Sequence, residues 1–322
     1  MSSGIILSRL VQSTTGKKPE LYPTSYSDVQ KETITKLIRK NKLEKVIIVD
    51  IAIDEQKIRT EKISKETSWF LVDHHELYND SKNVIKPQKF SDIPASSYPC
   101  GKIAYDLASQ KIDVTKLDWV ACLGIIGDFG IQQWKTFLEE TYKKYRWETK
   151  EKYFETILGD VCKLITSIEA TNDIKKIKKL SLIIEDAESP QEVLKSPLKK
   201  IQEAVEKEIN REVATAEKNT KNNYIYAEVK SKYNIKGPVS TILGVKNPNK
   251  TIVTASYEDK FYNISSRRQD GKYSVSELIN SLTRKIPGAM GGGHPNAAGG
   301  SVPEKYYEKF KKDIIKILET HE

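Results

Sequence analysis

The sequence predicts an α/β protein with a mostly parallel sheet, joined by a helical connector to a smaller α+β domain. Three observations carry this reading. Two short apolar runs, VIIVD (46–50) and WFLVD (69–73), each end on an aspartate and sit among segments of helical periodicity, the pattern of a parallel sheet with crossover helices. Residues 198–220, LKKIQEAVEKEINREVATAEKNT, run without Pro or Gly to break a charged helix. Beyond them come runs rich in β-branched and aromatic residues.

Taken in order, VQKETITKLIRKN (29–41) places Val29, Ile34, Leu37 and Ile38 on one helical stripe ahead of the first strand. The two four-residue apolar runs read as strands buried on both faces. GKIAYDLASQ and LDWVACLGIIGD then read as packed helices. YIYAEVK (224–230), TIVTASYE (251–258) and KFYNISSRR (260–268) read as strands, the last two forming a hairpin around Glu258-Asp259. The final VPEKYYEKFKKDIIKILETHE is an amphipathic helix with Pro303 in its first turn. The expected boundaries are 1–165 for the first domain, 166–222 for the connector and 223–322 for the second domain.

At 322 residues, 38% hydrophobic and 30% charged, the chain suits two globular domains, and no apolar run approaches the roughly 18 to 20 residues of a membrane span. MSSGIILSRL lacks a basic leader and a small-residue cleavage site, so no secretory signal is read there. The cysteines, Cys100, Cys122 and Cys162, are odd in number and widely spaced, which points to a reducing cytoplasm and away from a zinc ribbon. A net charge of +9 is compatible with a polyanionic partner without selecting one.

The residues that follow parallel strands line the crevice where such sheets bind ligands. Asp50 and Asp73 hold such positions, and Asp128, at the end of LGIIGD, can reach the same rim. Directly behind Asp73 stand His74 and His75, two of only four histidines in the chain. Carboxylates with one or two imidazoles suit Mn²⁺ or Mg²⁺. Paired metals activate water in phosphoester hydrolysis, and adjacent histidines can divide the work, one on metal and one on substrate phosphate. Farther on, MGGGHPNAAGG (290–300) sets Gly291, Gly292 and Gly293 before His294, a stretch whose main-chain N–H groups can form an anion-binding concavity or, alternatively, a flexible hinge. Arg267 and Arg268 offer planar forks for a phosphate or carboxylate.

VIIVD, LVDHH, ASSYPCGKIAYDL, LGIIGD, SSRR and GGGHPNAAG, in this order, resemble the DHH/DHHA1 phosphoesterase family: RecJ-like exonucleases and the phosphodiesterases of nano-RNA and cyclic dinucleotides. The resemblance implies a DHH domain and a DHHA1 substrate-binding domain. It implies Asp50, His74 and Asp128 as metal ligands, Asp73 as support for the histidine pair, and His75 on the scissile phosphate. Arg267 and Gly291 to His294 would hold the nucleotide. The implied chemistry is Mn²⁺-dependent or Mg²⁺-dependent hydrolysis of short single-stranded RNA or DNA, or of a small nucleotide, to nucleoside monophosphates. Relatives of this kind often form homodimers.

The chain departs from the family at its start. Family members carry a His-x-Asp-x-Asp-Gly motif on the first strand, whereas here no His precedes His74 and no Asp precedes Asp28. MSSGIILSRLV looks like the helix that follows that motif. Either the motif lies upstream of Met1 and the complete protein is a two-metal enzyme, the favoured expectation, or the chain is a degenerate relative that binds nucleic acid or serves replication without catalysis. Under both, the 322-residue chain is expected to hydrolyse weakly or not at all.

Overall fold

The computed structural model describes residues 1–24, 33–55 and 57–320. They divide into two units, one of Met1–Ile165 with Asp173–Lys199, the other of Thr166–Asn172 with the chain from Lys200 onward. The stretch expected as a connector is therefore shared between them, because its helices bury apolar stripes rather than standing alone in solvent. No helix among the described residues is long and apolar enough to cross a membrane.

The first unit runs α1 (Ser2–Thr15), α2 (Thr33–Asn41), β1 (Lys45–Val49), α3 (Lys57–Ser64), β2 (Ser68–Val72), β3 (Val84–Ile85), α4 (Cys100–Ser109), α5 (Asp118–Gly127), α6 (Lys135–Tyr145), α7 (Ile157–Glu169), α8 (Ile174–Asp186) and α9 (Pro190–Leu194). Val29, expected on the first stripe, lies outside the described residues. The three strands are parallel in the order β1-β2-β3, with Ile47 opposite Phe70 and Ile48 opposite Leu71.

Alternation sends Ile48, Trp69, Leu71 and Val84 to one face, where they pack with Ile38 of α2, Ile63 of α3, Ile51 and Ile53. Each fully buried side chain of this size contributes about 1.5–3 kcal/mol. Burial on both faces, expected from the apolar runs, holds only at the carboxyl ends. Val72 is buried there, but Ile47 and Phe70 on the same face are 41% and 49% exposed. Cover is local: α1 passes over Val49, and the Cys100 thiol at the start of α4 donates to the Val72 carbonyl. Helices α4 and α5 cross at Gly101 and Gly124, where a Cβ on Gly101 would stand 3.3 Å from the Gly124 Cα and 2.6 Å from the Ser2 hydroxyl of α1. This close crossing fixes the helix that ends at Asp128.

The second unit holds α10 (Lys199–Glu217), β4 (Tyr224–Glu228), α11 (Lys236–Lys246), β5 (Thr251–Glu258), β6 (Phe261–Arg267), α12 (Val275–Thr283), β7 (Met290–His294), β8 (Ala297–Pro303) and α13 (Glu304–Thr320). Its sheet has the order β4-β5-β6-β8-β7, with β4 and β5 parallel and the other neighbours antiparallel. The β5–β6 hairpin turns on Asp259 and Lys260, at φ 50° and 68°, the left-handed pair of a type I′ turn. Pro303 closes β8 rather than entering the helix that follows.

One face of this sheet buries Val253, Ala255, Ile264, Ala298 and Val302 against α12 and α13. The other buries Ile225, Ala227 and Ile252 against α10 and α11. The GGGH run is neither a hinge nor a loop: it is the edge strand β7, paired residue for residue with β8. Glycine has little strand propensity, so the pattern concealed it. Gly293 sits at φ 135°, and a Cβ there would lie 2.5 Å from the Ala297 carbonyl oxygen and 2.7 Å from the Ala298 Cα. Gly293→Ala is expected to destabilise the second unit by about 2 kcal/mol or more through backbone strain. Urea unfolding of the full chain followed by circular dichroism checks this; an unchanged midpoint would contradict it.

Candidate metal centre

Asp50 directly follows β1, Asp73 follows β2, and Asp128 caps the carboxyl end of α5. Asp50 has left-handed backbone, φ 61°, and its N–H donates to the Val72 carbonyl at 3.0 Å. Aspartate tolerates that region better than most residues, and the turn aims the carboxylate across the strand ends. The Asp73 N–H donates to the Ile85 carbonyl at 3.1 Å, so β3 holds the start of the histidine loop.

Asp50, His74 and Asp128 each offer a ligand atom within 4.8 Å of the others, and His74 Nε2 lies 3.5 Å from Asp50 Oδ1. An octahedral shell with ligands at about 2.1 Å spans roughly 4.2 Å, so two carboxylates and one imidazole fit a divalent cation. Asp50, Asp73 and His75 also cluster. There, however, Asp73 Oδ1 is engaged by His75 Nδ1 at 2.7 Å and Oδ2 stands 3.0 Å from Lys86 Nζ. The latter is a charge contact, its angle falling short of a hydrogen bond. Both Asp73 oxygens are thus already in contact with cationic or donor groups.

The two histidines are pushed in opposite directions. Burial lowers the pKa of His74, outweighing the nearby Asp50 carboxylate and keeping the ring neutral, the form that binds metal. Burial also opposes charge on His75, but the hydrogen bond and charge of Asp73 prevail and raise its pKa. Burial alone would raise the Asp73 carboxyl; the His75 hydrogen bond and the charges of His75 and Lys86 instead hold it far below the usual carboxylate range. One dipeptide thus presents a neutral ring and a readily protonated one, at 4.8 Å between centroids and 74° between planes.

Lys86 and Asp54 went unrecognised in the sequence. Lys86 is fully buried and donates to Asp54 Oδ1 at 2.8 Å and to the Glu76 carbonyl at 2.5 Å. Asp54 Oδ2 accepts the Tyr78 N–H at 3.2 Å, and Gln88 Nε2 donates to the His75 carbonyl at 3.1 Å. The available signal was position: Lys86 follows β3 as Asp50 follows β1 and Asp73 follows β2.

In the second unit, Arg267 ends β6 opposite Ala297, which pairs in turn with His294 on β7. Alternation puts Arg267, Gly292 and His294 on one face, while Gly291 and Gly293 face the core side. A Cβ on Gly292 would meet nothing within 4 Å, so main chain is accessible beside His294. Arg267 donates to Thr241 Oγ1, Ser265 Oγ and the Ser266 carbonyl, makes no ion pair with a described carboxylate, and has its pKa lowered to about 10 by burial. Arg268, by contrast, is spent on Asp270, which it grips with two 2.7 Å bonds. Only the first of the two arginines suits an anion.

Residues 221–320 match the family model for the DHHA1 domain. Among solved structures the chain is similar to a DHH domain described as a member of a family of ribosomal proteins (TM-score 0.69, 16% identity, 98% of this chain and 83% of that one). It is also similar to the exonuclease RecJ bound to manganese (0.65, 15%, 100% and 87%) and to CDC45 from Entamoeba histolytica (0.55, 9%, 99% and 94%). No curated protein matches. The chain is thus a two-unit α/β protein of the DHH/DHHA1 fold. Its carboxy-terminal part is a DHHA1 domain.

Proposed function

We propose that this chain is a metal-dependent phosphodiesterase acting on short single-stranded oligonucleotides or small nucleotides and releasing nucleoside monophosphates. The observation that carries the reading is the Asp50, His74 and Asp128 donor set at the strand ends, with a raised-pKa His75 beside it. Asp50, His74 and Asp128 would hold Mn²⁺ or Mg²⁺. When bound, such an ion makes a coordinated water more acidic and offsets charge on a phosphoryl oxygen. His75, steadied by Asp73, would donate a hydrogen bond to the scissile phosphate. In the DHHA1 domain, Arg267 and the stretch Gly291 to His294 would recognise the nucleotide, with Gly292 and His294 on the arginine's face. RecJ supports this by fold, and manganese in that protein suits the donor set.

A second reading, a binding protein without turnover, draws on the donor count: with Asp73 committed to His75 and Lys86, these residues hold one ion well rather than two. For the same reason turnover by the 322-residue chain is expected to be weak. The deciding experiment incubates the chelator-stripped full chain with end-labelled short RNA or DNA and added Mn²⁺. Slow mononucleotide release that EDTA abolishes supports the hydrolase. Retained oligonucleotide binding with no release at any Mn²⁺ concentration favours the binder.

A further inference from the structure

We infer that Lys86, with its partner Asp54, is the positioning residue of the histidine loop. The inference rests on the reading of that loop as the phosphate-handling element. It stands on four contacts that bracket His74 and His75 from both sides. Ahead of the pair, Lys86 Nζ lies 3.0 Å from Asp73 Oδ2, which leaves Oδ1 to accept from His75 Nδ1 at 2.7 Å. Behind the pair, the same ammonium donates to the Glu76 carbonyl, and its partner Asp54 accepts the Tyr78 N–H.

A lysine ammonium has three donors and no acceptor. Here its neighbours are a carboxylate oxygen of Asp54, a main-chain carbonyl of Glu76 and a carboxylate oxygen of Asp73, with the side chains of Lys86, Asp54 and Asp73 all fully buried. The chain also reaches Lys86 from β3, so the sheet itself carries the clamp. Asp73 thereby keeps one orientation, and His75 holds a proton on Nδ1 while the doubly protonated ring donates from Nε2 to substrate. Partners of this kind, one step removed from the reacting groups, typically change activity about 10–100-fold when removed.

The test uses the full chain in three forms: unaltered, Lys86→Met, and Lys86→Met with Asp54→Asn. The double variant removes the buried pair together and so avoids an isolated carboxylate that could prevent folding. Long-range ¹⁵N–¹H spectra of the metal-free proteins, with histidine signals assigned by single substitutions, report the His75 tautomer independently of turnover. Expected results are an Nδ1-protonated His75 in the unaltered chain and loss or averaging of that signal in both variants. At saturating Mn²⁺, kcat is expected to fall about 10–100-fold with KM within about twofold. An unaltered chain carrying its only His75 proton on Nε2 would overturn the inference without any variant. So would a folded double variant with the parent's His75 signal and kcat, since the loop would then keep its arrangement without Lys86. If the unaltered chain shows no hydrolysis, the phosphodiesterase reading fails, while the spectra still decide the role of Lys86.

Discussion

Asp50→Asn is expected to lower Mn²⁺-dependent hydrolysis by about 10³-fold, equivalent to about 4 kcal/mol of lost transition-state stabilisation. Asparagine is the informative replacement. Asp50 sits at φ 61°, a region that asparagine also tolerates, so the backbone turn survives and only the charge is lost. Isothermal titration with Mn²⁺ provides the companion measurement, and affinity is expected to fall with activity. If the variant bound Mn²⁺ and turned over as the parent does, Asp50 would not be a ligand. Loss of turnover with affinity intact would move it from holding the ion to handling substrate.

Asp73→Asn is expected to destabilise the first unit by about 3 kcal/mol at pH 6, because a buried ion pair loses one partner while Lys86 and the His75 donor stay in place. The pH dependence follows from the two shifts. Asp73 is depressed in the fold, so its contribution is fully present above the unfolded carboxyl value near about 4 and is lost as pH falls through the folded value. His75 is raised by Asp73, so that contribution is fully present below the unfolded imidazole value near about 6.5 and is lost as pH rises through the folded one. The stability gap between parent and variant is therefore widest between about pH 4 and 6.5 and narrows on both sides. Urea unfolding from pH 3 to 9 tests this shape. A gap that stayed flat across the range would mean that Asp73 acts through packing and not through charge.

Much of this arrangement was legible in the sequence for a physical reason. Strands end where apolar runs meet a polar residue, and VIIVD and WFLVD announced both strands and both carboxylates together. The helices over 100–109 and 118–127 and the β5–β6 hairpin followed from periodicity and from β-branched and aromatic content. Lys86 escaped because one lysine among 53 basic residues carries no mark of burial, and its carboxylate partners lie 13 and 32 positions back. The difference between Arg267 and Arg268 escaped for a similar reason: Arg267 ends β6 and Arg268 lies just beyond it, and only the fold reveals that Arg268 meets Asp270. The exposure of Ile47 and Phe70 escaped because an apolar run records a strand but not what covers each of its faces.

The ammonium that ties Asp54, Asp73 and the Glu76 carbonyl together also settles when the loop's conformational entropy is lost. A free loop of that length would surrender it on meeting an ion or a phosphate, and affinity would fall accordingly. Here the ordering is complete once the sheet forms, so ligand binding acts on an already rigid frame. Local opening of residues 74–78 then requires breaking the contacts to Asp54 and Lys86, and hydrogen exchange there is expected to be slower than the fraying of an untethered surface loop.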